Sequence, residues 1–216
     1  MARRNSRLAV ARRWPQLIAG AILAALLCRL PLFHIVRLDR QPMAGEVNLP
    51  VVAEKFWTEQ LPAAPAADAS LVAARLQQNA AAAIKEFARP VGLGGTAYFV
   101  LRGQGRVIAR TRDTIQLALA GAANAPVVEL QIGAIFGNLV RDATGLLDVN
   151  QFSSEQDFNG LAAELNRLVE VRVLPALRER AVVGVEVGFI GCAEARAGIV
   201  GGPLLTIVPI QAEVQR

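Results

Sequence analysis

Apolar and polar residues alternate with a period of two through the middle of the chain. In Thr114–Leu119 (TIQLAL), Ile115, Leu117 and Leu119 share one side. In Val127–Phe136, Val128, Leu130 and Ile132 stand against Glu129 and Gln131, so both stretches predict strands. Upstream, TAYFVLR, GQG and RVIART predict a hairpin with Gly103 and Gly105 at its turn. The period then lengthens to that of a helix. Ser153 or Ser154 is the predicted cap, with Gln156 or Asp157 three residues on. Phe158, Leu161, Leu165, Leu168 and Val169 follow at helical spacing, with Glu155, Glu164, Arg167 and Glu170 facing water and Pro175 ending or kinking the helix. Val183, Val185, Val187 and Phe189 predict one face of a further strand. Leu204–Val214 predicts the last one, where Pro209 requires an edge or a bulge.

Before the strands the pattern is helical. Val52–Leu61 is a short amphipathic stretch presenting Val52, Phe56 and Leu61 with Trp57 beside them, and the Pro/Ala run LPAAPAADA stops it. Ser70 is the predicted cap of a second helix, Leu71–Ala88, which Arg89-Pro90 ends. Its alanines bury little area, so it is expected against something flat such as a barrel wall. The order of elements predicts an α+β fold: N-terminal targeting segment and helices, then an antiparallel sheet of five to six strands with a long helix before the last two. That order matches the oligonucleotide/oligosaccharide-binding (OB) barrel, with an open α+β sheet as the alternative. The expected division is 1–37 targeting segment, 38–90 linker and helical segment, and 91–216 OB-like domain.

Charge and hydropathy at the N-terminus add a location. Residues 1–37 hold seven arginines and no acid, whereas residues 38–216 hold 16 basic against 18 acidic side chains, a net of −2. Five of those arginines precede Leu17–Cys28 (LIAGAILAALLC), an apolar run of secretory-signal length that is short for a membrane span. The body is therefore expected to be exported, to the periplasm on the family resemblance described below. It is either anchored to the inner membrane by an uncleaved signal-anchor or released by cleavage. Acylation of Cys28 would need a small residue before it, and Leu27 stands there. A basic N-terminus on an acidic body argues against a nucleic-acid partner.

The candidate chemistry is sparse. His34 is the only histidine and lies beside the anchor, which excludes a His-based triad or zinc site in the body. Neither a cofactor nor a metal is expected, and no residue is assigned a catalytic role. Cys192 is expected to be a small buried apolar residue. The polar string GNLVRDATG offers Asn138, Arg141, Asp142 and Thr144. They are either a loop presenting hydrogen-bonding groups to a ligand or partner, or an ordered turn in which Asn138 makes an Asx-type turn and Arg141 pairs with an acid. A buried pair that clamps the strand end to the helix start is the expected form. Asp148 and Asp157 are the carboxylates that glycoside chemistry would use. Glu186 and Glu194 are expected as outward acids, and Tyr98 and Phe99 are either core or a stacking platform.

GNLVRDATGLLDVNQF, DFNGLAAELNRLVEVRVLPAL, VGFIGCAEA and PLLTIVPIQAEV resemble a bacterial family of unknown function known as predicted periplasmic lipoproteins, often encoded beside sugar ABC-transporter genes. The resemblance spans about Phe87 to Val214, and its most specific part is the GN-x-VRD string. It implies an exported, membrane-tethered accessory or binding module, non-enzymatic, working with a sugar ABC transporter. The alternatives from the residues are a carboxylate-dependent hydrolase of a periplasmic saccharide and an OB-type oligonucleotide-binding module. The sequence departs from the family's lipoprotein pattern at Leu27.

Overall fold

The computed structural model describes residues 47–91, 96–120, 127–195 and 205–215. The arginine-rich head, the apolar run and Cys28 lie outside them. Among the described residues no helix is long and apolar enough to cross a membrane. Residues 46–216 form one compact unit, and the expected division at residue 90 lies inside it.

The strands are β1 (Ala67–Asp68), β2 (Arg89–Val91), β3 (Thr96–Arg110), β4 (Thr114–Leu119), β5 (Val127–Gln131), β6 (Glu186–Ala195) and β7 (Thr206–Val214). Five of them close on themselves in the order β3-β4-β5-β7-β6 and back to β3, which is an OB barrel. All its pairings are antiparallel except β5 with β7, which run parallel at Glu129–Thr206 and Leu130–Ile207. The helix-containing crossover between β5 and β6 makes that parallel pairing possible.

The expected hairpin at Gly103–Gly105 is instead one strand. β3 runs unbroken for 15 residues and pairs with β6 from Ala97 to Arg106 and with β4 from Gly105 to Arg110. The glycines serve close approach, not a turn. A Cβ on Gly103 would lie 2.9 Å from both the Ala69 Cβ and the Phe189 ring, and one on Gly105 would lie 2.6 Å from the Ala118 carbonyl. Along the first half of β3, where β4 does not reach, β2 and β1 take the edge through Thr96–Tyr98 and Leu101–Arg102. No long edge of β3 is left unpaired, which removes a template for aggregation.

The helices around the barrel are α1 (Leu49–Lys55), α2 (Ala69–Gln78), α3 (Ala80–Phe87), α4 (Leu139–Ala143), α5 (Glu155–Arg172) and α6 (Leu174–Arg180). The helix expected over Leu71–Ala88 is split. Asn79 is extended and ends α2 by donating its N–H to the Arg75 carbonyl, while its side chain accepts from Ala82 N–H at 3.0 Å to start α3. A short amide that can bond the backbone favours this break over continuation. Asp68, not Ser70, caps α2 through Leu71 N–H; the Ser70 hydroxyl reaches the Ala120 carbonyl. α2 does lie against the barrel, with Ala69, Val72 and Ala73 in the common core. The Val52–Leu61 stretch is helical but changes pitch, from α1 into a π turn at Phe56–Gln60, and buries Phe56 and Leu61.

Two strand boundaries also differ from the pattern. The strand expected over Val127–Phe136 ends at Gln131, so Val128, Leu130 and Ile132 are buried while Phe136 is 82% exposed. The strand expected to include Val183 and Val185 begins at Glu186; Val182 and Val183 sit in a turn that Gly184 closes at φ 94°. Pro209 lies where β7 bulges against Gly191 of β6, beyond the reach of β5. Its missing N–H therefore interrupts no second ladder.

Candidate functional site

α5 carries two stripes. Its apolar stripe (Leu161, Leu165, Leu168, Val169) is buried in the core, and Ser154 caps it as expected, accepting from Asp157 N–H at 3.1 Å and donating to the Asp157 carboxylate. Beside it runs a polar stripe of Asn159, Asn166, Arg167 and Glu170. Against that stripe lies the segment that leaves β5. An open groove of about 330 Å³ runs between the two, from Ile135–Asn138 on one wall to Asn159–Glu170 on the other, with Ala162 and Ala163 between.

The segment is fixed on both sides of Phe136. Glu170, expected to face water, accepts from Ile135 N–H at 2.9 Å, and Asn166 donates its amide to the Gly137 carbonyl at 2.9 Å. Gly137 itself sits at φ 81°, where a side chain would strain the backbone. The ring between these anchors is thus held out in solvent.

The GNLVRDATG string folds into α4 and its flanks. Arg141 is 5% exposed. Its Nε and Nη2 donate to the two Asp142 carboxylate oxygens at 2.7 and 3.1 Å, and its Nη1 donates to the Phe158 carbonyl at 3.0 Å and Asn159 Oδ1 at 2.9 Å. The guanidinium also stacks 3.8 Å from the centre of the Phe158 ring, which packs on Phe152. This is a buried clamp between α4 and the first turn of α5. Thr144 is fully buried; its hydroxyl accepts from Leu146 N–H, and Arg89 donates to its carbonyl. Gly145 takes φ 61° beside that arginine.

Asn138 does not make the expected Asx turn. It is exposed, its side chain caps nothing, and it opens onto the groove. Of the four residues singled out in the string, Arg141, Asp142 and Thr144 therefore shape the wall, and Asn138 faces the space. Asn159 joins the two, accepting from Arg141 while lining the groove.

The other candidates are placed plainly. Phe99 is fully buried inside the barrel, so it is core and not a stacking platform. Tyr98 is half-buried on the outer face opposite Glu194. Burial raises its pKa above the ordinary value of 10.0, as do the Asp142 and Glu194 charges, with Arg141 opposing. Asp148 caps a short 3-10 turn through Asn150, and Asp157 belongs to the α5 cap. Glu186 accepts from Gln104 and Arg106 on the barrel exterior. Cys192 is buried, which pushes its thiol up to about 12. Among the described residues, no group of His, Cys, Asp and Glu is arranged to hold a metal.

Sequence reasoning passed over Phe136, Asn159, Asn166 and Arg89. The spacing of Asn159, Asn166 and Glu170 at seven and four residues is a helical signal for the polar stripe. Nothing in the sequence marks Phe136 as exposed, since its parity matches the buried side of β5.

A closed OB barrel with a helix-walled groove on its flank defines the class of protein. The chain belongs to the DUF2291 family of predicted periplasmic lipoproteins, which it matches over residues 22–213. That membership makes it an exported protein of the periplasm, associated in general terms with the membrane. It is also similar to an OB-fold protein from Thermotoga maritima, at 26% identity and a TM-score of 0.68, covering 79% of this chain and all of that one. No curated protein matches the chain.

Proposed function

We propose that the protein is a non-enzymatic accessory module, held at the periplasmic face of the inner membrane, which docks on components of a sugar ABC transporter through the groove beside α5. The observation that carries this reading is Phe136. A large apolar side chain left 82% exposed, yet rigidly framed by the Glu170 and Asn166 bonds, has the form of an interface anchor. The polar rim of Asn138, Asn159 and Arg167 around an Ala-floored groove fits the same anatomy. The sugar-transporter assignment rests on the resemblance of the GN-x-VRD region to a family encoded beside such genes. Asp148 and Asp157 are each engaged in helix caps, which weighs against their serving a saccharide hydrolase.

The test is crosslinking in intact cells followed by capture from detergent-solubilised membranes. The wild-type chain is expected to retain permease or binding-protein subunits of a neighbouring sugar transporter. Phe136→Ala should lose most of that capture with an unchanged melting temperature, because the ring makes few contacts of its own. Equal capture by Phe136→Ala, or sugar uptake unaffected by deleting the protein, would overturn the reading.

A further inference from the structure

The barrel end opposite to α4 carries an apolar tip within a basic collar. β3 bulges between Val107 and Ala109, and Ile108 at the bulge is 44% exposed. The turn before β6 lies directly beside it: Gly184 N–H donates to the Val107 carbonyl at 2.8 Å, and Val107 N–H donates to the Val185 carbonyl at 2.9 Å. That turn exposes Val182 by 51% and Val183 by 64%. Three exposed aliphatic β-branched residues, from two segments far apart in sequence, are therefore brought to neighbouring places on the backbone. Arg110 fixes the arrangement, donating from its guanidinium to the Ala181 and Arg178 carbonyls.

Charge sorts with this tip. Residues 106–113 and 178–186 hold five arginines against three carboxylates, a net of +2. The rest of the stretch 38–216 holds 11 basic against 15 acidic side chains, a net of −4. The two segments that carry the exposed aliphatic residues are thus net positive, and the rest of the stretch is net negative.

We infer that this tip is a membrane-contact surface, which seats the barrel on a bilayer bearing anionic phospholipid headgroups. The inference is independent of the groove, which is built from other residues. Arginine guanidiniums attract an anionic leaflet while aliphatic side chains dip below the headgroups, the same division of labour as on an interfacial amphipathic helix. Neither part is strong. A protein that already lives attached to the membrane meets the lipid at high effective concentration, so a weak surface suffices to orient it. The acidic remainder of the body is repelled by the same leaflet, which favours one orientation over the others.

The experiment places a photoreactive leucine analogue at Val183, or at the equally exposed Val51 as control, in the full chain. The protein is reconstituted into vesicles of phosphatidylglycerol with phosphatidylcholine, or of phosphatidylcholine alone. Lipid adducts at position 183 are expected several-fold above those at 51 in the anionic vesicles, and near the control level in phosphatidylcholine. Adding Arg112→Glu and Arg180→Glu, both exposed positions, should bring adducts at 183 down towards the control with the melting temperature unchanged. Equal adducts at the two positions, adducts at 183 indifferent to headgroup charge, or adducts to protein in place of lipid would overturn the inference. The lipid comparison needs no charge variant, so it decides the matter even if the double variant folds poorly.

Discussion

Arg141 shows how much a single buried charge can hold. Four of its five N–H groups meet a carboxylate, a carbonyl and an amide oxygen, and its face meets a ring, so the site depends on all four partners being in place. Removing one member of a buried pair leaves the other charge uncompensated, at a cost of about 3–5 kcal/mol. Arg141→Ala is expected to fall in that range in denaturant melts, and Arg141→Lys should recover little of it because an ammonium cannot fork. Arg167, paired with Glu164 on the surface, provides the contrast: Arg167→Ala should cost about 0–1 kcal/mol. Equal losses at the two positions would mean that α4 is not clamped as described. Cys192 gives a pH dependence at the same scale. Its folded thiol is raised from 9.0 to about 12, so the native state holds the proton more tightly than the unfolded chain does. That contribution is complete below pH 9 and is lost as pH rises towards 12. Cys192 of the native protein should resist maleimide at neutral pH in a Cys28→Ala background, and Cys192→Ala should show a shallower alkaline fall in melting temperature. Rapid labelling of Cys192 without unfolding would contradict its burial.

Among the elements, α5 serves both the core and the groove. Leu165 is fully buried and Glu164 lies beside it on the outer side. Leu165→Ala should cost roughly 2–5 kcal/mol through lost contacts and the cavity left behind. Glu164→Ala, a surface change, should stay within about 0.5 kcal/mol. Chemical denaturation of the two variants checks the phase of the helix, and comparable losses would show it to be misassigned. This helix was legible in advance: a cap, a long run of 3.6-residue periodicity and a terminating proline agree with one another. The α2–α3 break was less so, since alanine-rich flanks favour a continuous helix and Asn79 decides the matter through two local bonds.

For the whole molecule, an arginine-rich and apolar N-terminal stretch precedes one compact body in the sequence. The family match supports a periplasmic lipoprotein, whereas the leucine before Cys28 is a poor substrate signal for acylation. The expected outcome is that Cys28→Ala leaves membrane attachment and electrophoretic mobility unchanged, with the apolar run itself acting as the anchor. Fractionation with a radiolabelled fatty acid checks it. Release of the variant into the soluble fraction with loss of label would establish lipid attachment at Cys28. The body then faces two neighbours on the proposals made above, a transporter at the groove and the bilayer at the Ile108–Val183 tip. Those surfaces lie on different elements, so variants of one should leave the other intact.

The sequence alone determined most of the strand periods, α5 with its cap, and the order of elements that specifies an OB barrel. Each of these is a local pattern, repeated often enough to outweigh single exceptions. Tertiary structure decided the rest. Gly103 and Gly105 read as a turn because glycine permits turns, but in the barrel they permit Ala69, Phe189 and Ala118 to approach β3. Phe136 has the parity of a buried strand residue and is exposed because β5 ends at Gln131 and long-range bonds from α5 take over its backbone. The RD pair was legible as a pair, whereas its depth depends on Phe158 and Asn159, 17 and 18 residues away. Burial and partnership at long range are properties of the packed chain, because no local pattern records which distant backbone will supply the missing acceptor.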